Sequence, residues 1–261
     1  MTRIFDFTDA LLRRPGSSVI KGLRAGGGED PRLENVLAEH ATYALALEAA
    51  GLNVTVLEPL EQFPDAIFVE DPALVFPEAA VLLNPGAPSR AGEGKLLRPA
   101  LEARFDTVLV LGAGYADGGD VLAMPDKVYI GLSARTDRTG AEALAALLAQ
   151  IGYAAEIVPT PPEVLHLKTA SSLIDEETVL ATAPLAASGV FARYRVLIVP
   201  EGEEGGANVL RVRDHLLVGA AYPRIAELVE GYGAEVMALE NSEIAKIDAG
   251  LTCMSLRWRA I

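Results

Sequence analysis

Residues 94–133 read GKLLRPALEARFDTVLVLGAGYADGGDVLAMPDKVYIGLS, and three patterns follow one another within them. GKLLRPALEAR has the apolar spacing of an amphipathic helix, and TVLVLG is a short β-branched run that predicts a strand. DVLAMPDKVYIGLS predicts a hairpin turning at Pro125-Asp126. The same order occurs on both sides. Upstream, PRLENVLAEHATYALALEAAG places Leu33, Val36, Leu37, Ala44 and Leu47 on one helical face, with Pro31 ahead of it and Gly51 ending it. NVTVLEP then predicts a strand, and ALVFPEAAVLL a hairpin about a Pro-Glu turn. Downstream come a helix (TGAEALAALLAQIG), a strand (AAEIVP) and a hairpin near Asp175 (ASSLIDEETVLATA). RYRVLIVP is a further strand, and ANVLRVRDHLLVGA turns at Arg213-Asp214. YPRIAELVEGYG, AEVMALE and LTCMSLRW add a helix, a strand and a closing strand.

The strands that follow helices begin near residues 54, 107, 155, 195 and 234, an average step of (234 − 54)/4 = 45 residues. A period of that size belongs to repeat and propeller architectures. Five units, with the last strand pairing near the N-terminus, close into a ring, so the expectation is one α/β-propeller domain over residues 1–261. The helix before RYRVLIVP is the weakest element, since PLAASGVFA is short and contains Gly189. Without it the pattern fits an ordinary α/β sandwich.

With 51% hydrophobic and 22% charged residues, the 261-residue chain is globular in composition and long enough for a large core. The single cysteine forbids an intramolecular disulfide and fits a reducing cytoplasm. MTRIFDFTDALLRRPGSS lacks the apolar stretch of a signal peptide, and no apolar run approaches a membrane span. The charge balance is 22 − 36 = −14, which repels phosphate backbones and argues against a nucleic-acid partner. It modestly favours a cationic small molecule, although an acidic surface also serves solubility alone.

The residues with chemical potential fall at one phase of the repeat. Asp65, Glu70 and Asp71 precede the first hairpin in FPDAIFVEDP, and Asp117 and Asp120 precede the second in ADGGDVL. His166 precedes the third in LHLKTASS, Asn208 opens the fourth, and Cys253 lies in the closing strand. In a ring, equivalent positions converge at the axis. A free thiol has a pKa of about 8.5 and needs a cationic neighbour to become a nucleophile, which His166 or a bound cation could supply. The alternative for Cys253 is a structural cysteine. Asp120, after Gly119, reads better as a turn cap than as a catalytic acid, and Asp65 reads as a turn residue or a ligand. Glu70 and Asp71, inside an apolar run, call for cationic partners, and a guanidinium suits them. His40 reads as partly exposed packing and His215 as a solvated residue beside a turn. No Cys-x-x-Cys or His-x-x-x-His pair suggests a zinc site, GAGYADGG has the wrong spacing for a dinucleotide, and no G-x-S-x-G is present.

FPDAIFVEDP, NPGAPSR, DGGDVL, YIGLSARTDRTGAE, LHLKT, ANVL and KIDAGLTCMSLR resemble, in this order, segments of the dimethylarginine dimethylaminohydrolases. These are guanidino-modifying enzymes built on a five-bladed α/β-propeller, the pentein fold. The resemblance spans nearly the whole chain. It implies Cys253 as nucleophile, His166 as general acid/base, and Asp117 as its orienting carboxylate, where some relatives have Glu. It implies that Asp71, with Glu70 beside it, binds the guanidinium and that Asp65 meets the amino-acid end of the substrate. Arg90 and Arg135 would hold the α-carboxylate, Asp248 would lie near the reacting group, and Leu23 falls in a substrate-covering loop. The implied reaction converts dimethyl- or monomethylarginine to citrulline through a covalent thiouronium, without metal or organic cofactor. The implied partner is therefore a small molecule, with no nucleic acid or membrane, and a homodimer is allowed.

Two positions depart from the family. Val209 stands where relatives often carry a second cysteine, and the loop RAGGGEDP is glycine-rich. Deiminases resemble one another in a His-x-Asp pattern, whereas Leu167 and Lys168 follow His166 here, supplying no second anion. A citrulline hydrolase would use the same residues and stays open, as, more distantly, do an arginine deiminase and a non-enzymatic pentein that binds a partner.

Overall fold

The computed structural model describes residues 3–25 and 28–261, and its architecture is a repetition of one unit. β1 (Asp9–Arg13), α1 (Leu33–Ala49) and β2 (Asn53–Leu57) come first. β3 (Ala73–Val75), β4 (Ala80–Leu82), α2 (Glu93–Glu102) and β5 (Val108–Val110) form a complete ββαβ unit. So do β6 (Val121–Ala123), β7 (Val128–Leu132), α3 (Arg138–Gln150) and β8 (Ala155–Pro159). The fourth unit is β9 (Ser171–Leu173), β10 (Thr178–Ala181), α4 (Ala183–Ala187) and β11 (Arg195–Ile198). The fifth is β12 (Leu210–Val212), β13 (His215–Gly219), α5 (Pro223–Val229) and β14 (Glu235–Leu239). A short α6 (Ser242–Ala245) leads to β15 (Ser255–Trp258).

Each sheet has three strands, a middle one antiparallel to its hairpin partner and parallel to the strand after the helix. In the first sheet the order is β15-β1-β2, so the C-terminal strand supplies the hairpin partner that the N-terminus lacks. The hairpins turn where the sequence indicates, and Arg213 takes a φ of 51° in the last of them. The doubtful helix exists as the single turn and a half of α4, and Gly189 follows it at a φ of 78°, a conformation in which a side chain is strained.

Side-chain alternation explains how the sheets become a ring. Successive residues of a strand point to opposite faces. In β1, Leu11 enters the core shared with β3, β4 and α2, while Ala10 and Leu12 enter the core shared with β12, β13 and α1. In β7, Val128 and Ile130 pack toward the second sheet and Tyr129 toward the fourth. Val179 and Leu180 of β10 divide between the third and fifth sheets in the same way, and Leu217 of β13 returns to the first. Five apolar cores thus join each sheet to the next and the fifth to the first. The middle strands are covered on both faces, which is why they read as continuous apolar runs.

The buried face of α1 is rotated from the expected one. Val36, Glu39, His40, Tyr43, Ala46 and Leu47 face inward, and Leu37 and Ala44 lie at its margin. His40 is therefore buried, not partly exposed, and burial pushes its pKa down to about 4 despite a backbone hydrogen bond at Arg13. Glu39 is retained inside because it accepts the backbone N–H groups of Glu243 and Ile244 in α6. His215 is half-buried, with Nε2 3.7 Å from Glu235.

Candidate active site

The strands β3, β6, β9, β12 and β15 all line one axial channel. The short turns that enter β3, β6, β9 and β15 deliver Asp71, Asp117, His166 and Cys253 to the same end of it, where they line one narrow cavity of about 40 Å³. Leu23, Asp65, Arg90, Arg135 and Asp248 line that cavity as well, together with Phe68, Leu165, Ile247 and Ala249. Nine of the ten residues expected at a site thus converge. Glu70 does not.

The imidazole is held by carboxylates. His166 Nε2 lies 3.0 Å from Asp117 Oδ2, and the other Asp117 oxygen accepts the Gly86 N–H at 2.7 Å. Nδ1 is thereby the nitrogen left for proton transfer. Burial alone would lower the pKa of His166, but the Asp117 hydrogen bond and the charges of Asp71, Asp120 and Asp117 prevail and raise it to about 9. The ring also needs Gly119 beneath it, because a Cβ there would lie 2.6 Å from Nδ1. Asp120 acts next door. Its Oδ1 accepts the Leu167 N–H, and its Oδ2 accepts the Ser133 and Thr136 hydroxyls at 2.6 and 2.7 Å. That is a clamp on the His166 turn, stronger than the cap expected from the sequence.

Cys253 sits partly open to the cavity and receives the Gly250 N–H at 3.5 Å. Burial pushes its thiol up to about 12, reinforced by the charges of Glu70 and Asp71 and opposed by Gly250 and Lys168. The resting thiol is therefore protonated at neutral pH while His166 is an imidazolium. Asn208 fixes the Cys253 turn to the His166 turn. It accepts from Thr252 N at 2.8 Å and donates to the Lys168 carbonyl at 2.8 Å.

Asp71 accepts from Arg90 Nη1 and from the Gly119 N–H at 3.1 Å. Burial would raise its pKa, but Arg90, His166 and Lys168 outweigh that and hold it below the usual carboxylate range. Arg90 is buried and committed. It also donates to both Glu93 oxygens at 2.8 Å and to the carbonyls of Asp65 and Phe68. Glu93 was not singled out in the sequence, although its place three residues after an arginine on the way into a helix is a readable signal. Arg135 differs from Arg90, since its guanidinium makes no hydrogen bond or ion pair with the described residues. Asp65 accepts the Leu23 N–H at 2.8 Å, and Asp248, at a φ of 56°, accepts the Ala25 N–H. Within RAGGGEDP, residues 26 and 27 lie outside the described residues.

Glu70 and Lys168 require correction. Glu70 Oε1 meets Lys168 Nζ at 2.6 Å and Arg257 Nη2 at 3.1 Å, and Oε2 accepts the Thr252 hydroxyl at 2.8 Å. Glu70 and Asp71 lie in the turn that enters β3, and there Glu70 faces the large cavity at the far end of the axis while Asp71 lines the narrow one with the thiol. The cation for Glu70 is internal, and Lys168 is occupied with it. Ligand atoms of Asp71, Asp117 and His166 all lie within 4.8 Å of one another, the spacing of a metal site, but Nε2 of His166 is taken by Asp117 and Asp71 by Arg90.

A five-unit α/β ring with a thiol, an imidazole and carboxylates at one end of its axis defines the pentein class of guanidino-modifying enzymes. The arginine deiminase family matches residues 32–199. The chain is 33% identical to the N(G),N(G)-dimethylarginine dimethylaminohydrolase of Pseudomonas aeruginosa, over 97% of this chain and all of that one. It is 34% identical to the enzyme of that name from Streptomyces coelicolor, over 97% of each. The Pseudomonas structure, a Cys-to-Ser mutant complexed with citrulline, superimposes with a TM-score of 0.94 over 97% of this chain and 100% of that one. The N-terminal domain of a cyanobacterial arginine dihydrolase, 17% identical, shares the fold with a TM-score of 0.85 over 97% and 98% of the two chains. The chain belongs to the dimethylarginine dimethylaminohydrolase family, within the pentein superfamily. No helix among the described residues is long and apolar enough to cross a membrane.

Proposed function

We propose that this chain hydrolyses Nω,Nω-dimethyl-L-arginine, and the monomethyl compound, to citrulline and dimethylamine or methylamine. The observation that carries the reading is the convergence of Cys253, His166 on Asp117, and Asp71 on one narrow cavity. An ionised carboxylate has about four lone-pair sites, so Asp71 can accept two guanidinium N–H groups beside its present donors. A guanidinium there is a cation next to a thiol whose pKa burial raises to about 12, and it stabilises the thiolate that forms as the thiol proton passes to bulk water. Thiolate attack forms the S–C bond. The imidazolium of His166 gives its proton to the departing amine, the C–N bond breaks, and a thiouronium remains on Cys253. Neutral His166 then takes a proton from water, which adds to the same carbon. The C–S bond breaks, the hydroxyl proton of the adduct passes to the leaving sulfur as the carbonyl forms, and citrulline leaves with the thiol restored.

Arg135, whose guanidinium makes no hydrogen bond among the described residues, is the natural seat of the α-carboxylate, and Asp65, on which its charge acts, suits the α-amino group. Arg90 acts instead as the fixed counter-charge of Asp71. The methylated nitrogen meets Phe68, Leu165 and Ile247, which offer no side-chain acceptor, in place of the role assigned to Lys168. Leu23 lines this cavity, and its N–H is bonded to Asp65 while the Ala25 N–H is bonded to Asp248, so a substrate amino group at Asp65 competes with the first of these bonds.

Parallel product analysis tests the reading. Citrulline is measured from asymmetric dimethylarginine, symmetric dimethylarginine and arginine, and ornithine from citrulline. Arginine brings unmatched donors to the apolar side, at about 1–3 kcal/mol each, so asymmetric dimethylarginine should lead by at least about tenfold in kcat/KM. Faster arginine turnover makes the chain a deiminase, and efficient ornithine release makes it a citrulline hydrolase. The same reading includes one folding unit over the whole chain, supported by the β1–β15 pairing, a cytoplasmic home and a homodimer. A single cooperative unfolding transition and light scattering test the first and last of these.

A further inference from the structure

The other end of the axial channel is a cavity of about 540 Å³, well inside the size range of about 300–1,000 Å³ typical of small-molecule sites. Its walls are apolar, with Leu74, Leu122, Leu173, Leu210 and Trp258 contributed by the edge strands of the five sheets. Its charge is unusual for this chain. The charged side chains lining it are Arg3, Lys168, Arg211, Arg257 and Arg259 against Asp6, Glu70 and Glu78, or 5 − 3 = +2, in a chain of net charge −14. At the floor, Glu70 Oε1 meets both Lys168 and Arg257, and the Lys168 charge also acts on Asp71. Arg257 gives Nη1 hydrogens to Thr252 and Ser255 and an Nη2 hydrogen to Glu70, and its Nε is buried with no hydrogen-bond partner among the described residues. A buried guanidinium N–H without an acceptor is costly, and an anion is its complement.

We propose that this cavity binds an amphiphilic monocarboxylate, its headgroup on Arg257 and Lys168 and its apolar tail along the channel walls. The site is separate from the catalytic cavity, since neither Cys253 nor His166 lines it; Glu70 and Lys168 line this cavity and not the catalytic one, and their charges act on the Cys253 thiol from that side. Glu70 also accepts the hydroxyl of Thr252, the residue before the thiol. A carboxylate bound at the floor adds a charge of the same sign as Glu70. It therefore holds Cys253 protonated and, by linkage, strengthens binding of a cation on the catalytic side.

Trp258 is the only tryptophan of the chain and lines the cavity, so its emission reports occupancy without reference to turnover. Decanoate, kept below its micelle concentration, should change that emission saturably. Decanol and decyltrimethylammonium should bind at least tenfold more weakly. Arg257→Gln should weaken decanoate at least tenfold, and Leu173→Phe, which narrows the channel and leaves the floor intact, should do so independently of any loss of folding in the first variant. Decanoate should also slow alkylation of Cys253 by iodoacetamide at least twofold. The absence of a saturable response, equal responses to the three amphiphiles, or wild-type affinity in both variants overturns the site. An unchanged alkylation rate at saturating decanoate overturns the coupling.

Discussion

Replacing Asp117 by Asn keeps the volume and the oxygen that receives the Gly86 N–H, but turns an N–H₂ toward His166 Nε2 where a carboxylate oxygen stood at 3.0 Å. The imidazolium then faces a donor. Burial, which already acts to lower the pKa of His166, loses its main opponent, so the value falls from about 9 toward the ordinary 6.5. A fall of 2.5 units corresponds to about 3.4 kcal/mol, at about 1.36 kcal/mol per unit. That is an upper value, because Asp71 and Asp120 still favour the charged ring. At pH 8 the protonated fraction drops from about 0.9 to about 0.03, so the general acid is about thirtyfold scarcer. Citrulline formation from dimethylarginine, followed across pH, should show the basic limb of kcat moving from near 9 to near 6.5 with KM little changed. A proton NMR titration of the imidazole in Cys253→Ser protein gives the same shift without turnover. A basic limb that stays in place with kcat intact would refute the assignment of the His166 acid and of Asp117 as its support.

Gly119→Ala places a Cβ 2.6 Å from His166 Nδ1 and 3.0 Å from Asp71 Oδ1, so the ring must shift; kcat should fall about a hundredfold, with about 1–3 kcal/mol lost in urea unfolding. Equal activity in the variant would show that the ring need not lie on that turn. Cys253→Ser should abolish turnover, and His166→Gly should accumulate one adduct on the peptide of Cys253, the only thiol, read by mass spectrometry of acid-quenched samples. Residual turnover in the serine variant rules out the nucleophile. His40 has a folded pKa of about 4 against 6.5, so the unfolded chain binds the proton first: its contribution is intact above pH 6.5, is lost as pH falls, and the loss is complete below 4. Urea unfolding at pH 7 and 4.5 should show about 2–3 kcal/mol more acid destabilisation in the wild type than in His40→Phe, and no difference would place the imidazole in contact with water.

The five units and their order were legible because each rests on short-range physics: a two-residue alternation, a three-to-four-residue helical period, and Pro, Gly or Asp at turns. The positions of Asp71, Asp117, His166 and Cys253 were legible as one phase of that period, since equivalent turns of a ring meet at its axis. Direction was not legible. Glu70 and Asp71 are adjacent in sequence and chemically alike, yet one is neutralised by Lys168 and Arg257 and the other faces the thiol. Arg90 and Arg135 are equally indistinct as letters, and only packing commits the first to Asp71 and Glu93. The rotation of α1 that buries His40 was likewise set by the neighbouring sheets it had to fill. The sequence by itself determined the repeat, the strand and helix spans, and which residues reach the axis, because those follow from patterns a few residues long. Tertiary structure decided which way each side chain turns there and which charge meets which, because electrostatic pairing depends on distances of a few ångströms between residues up to about 190 positions apart.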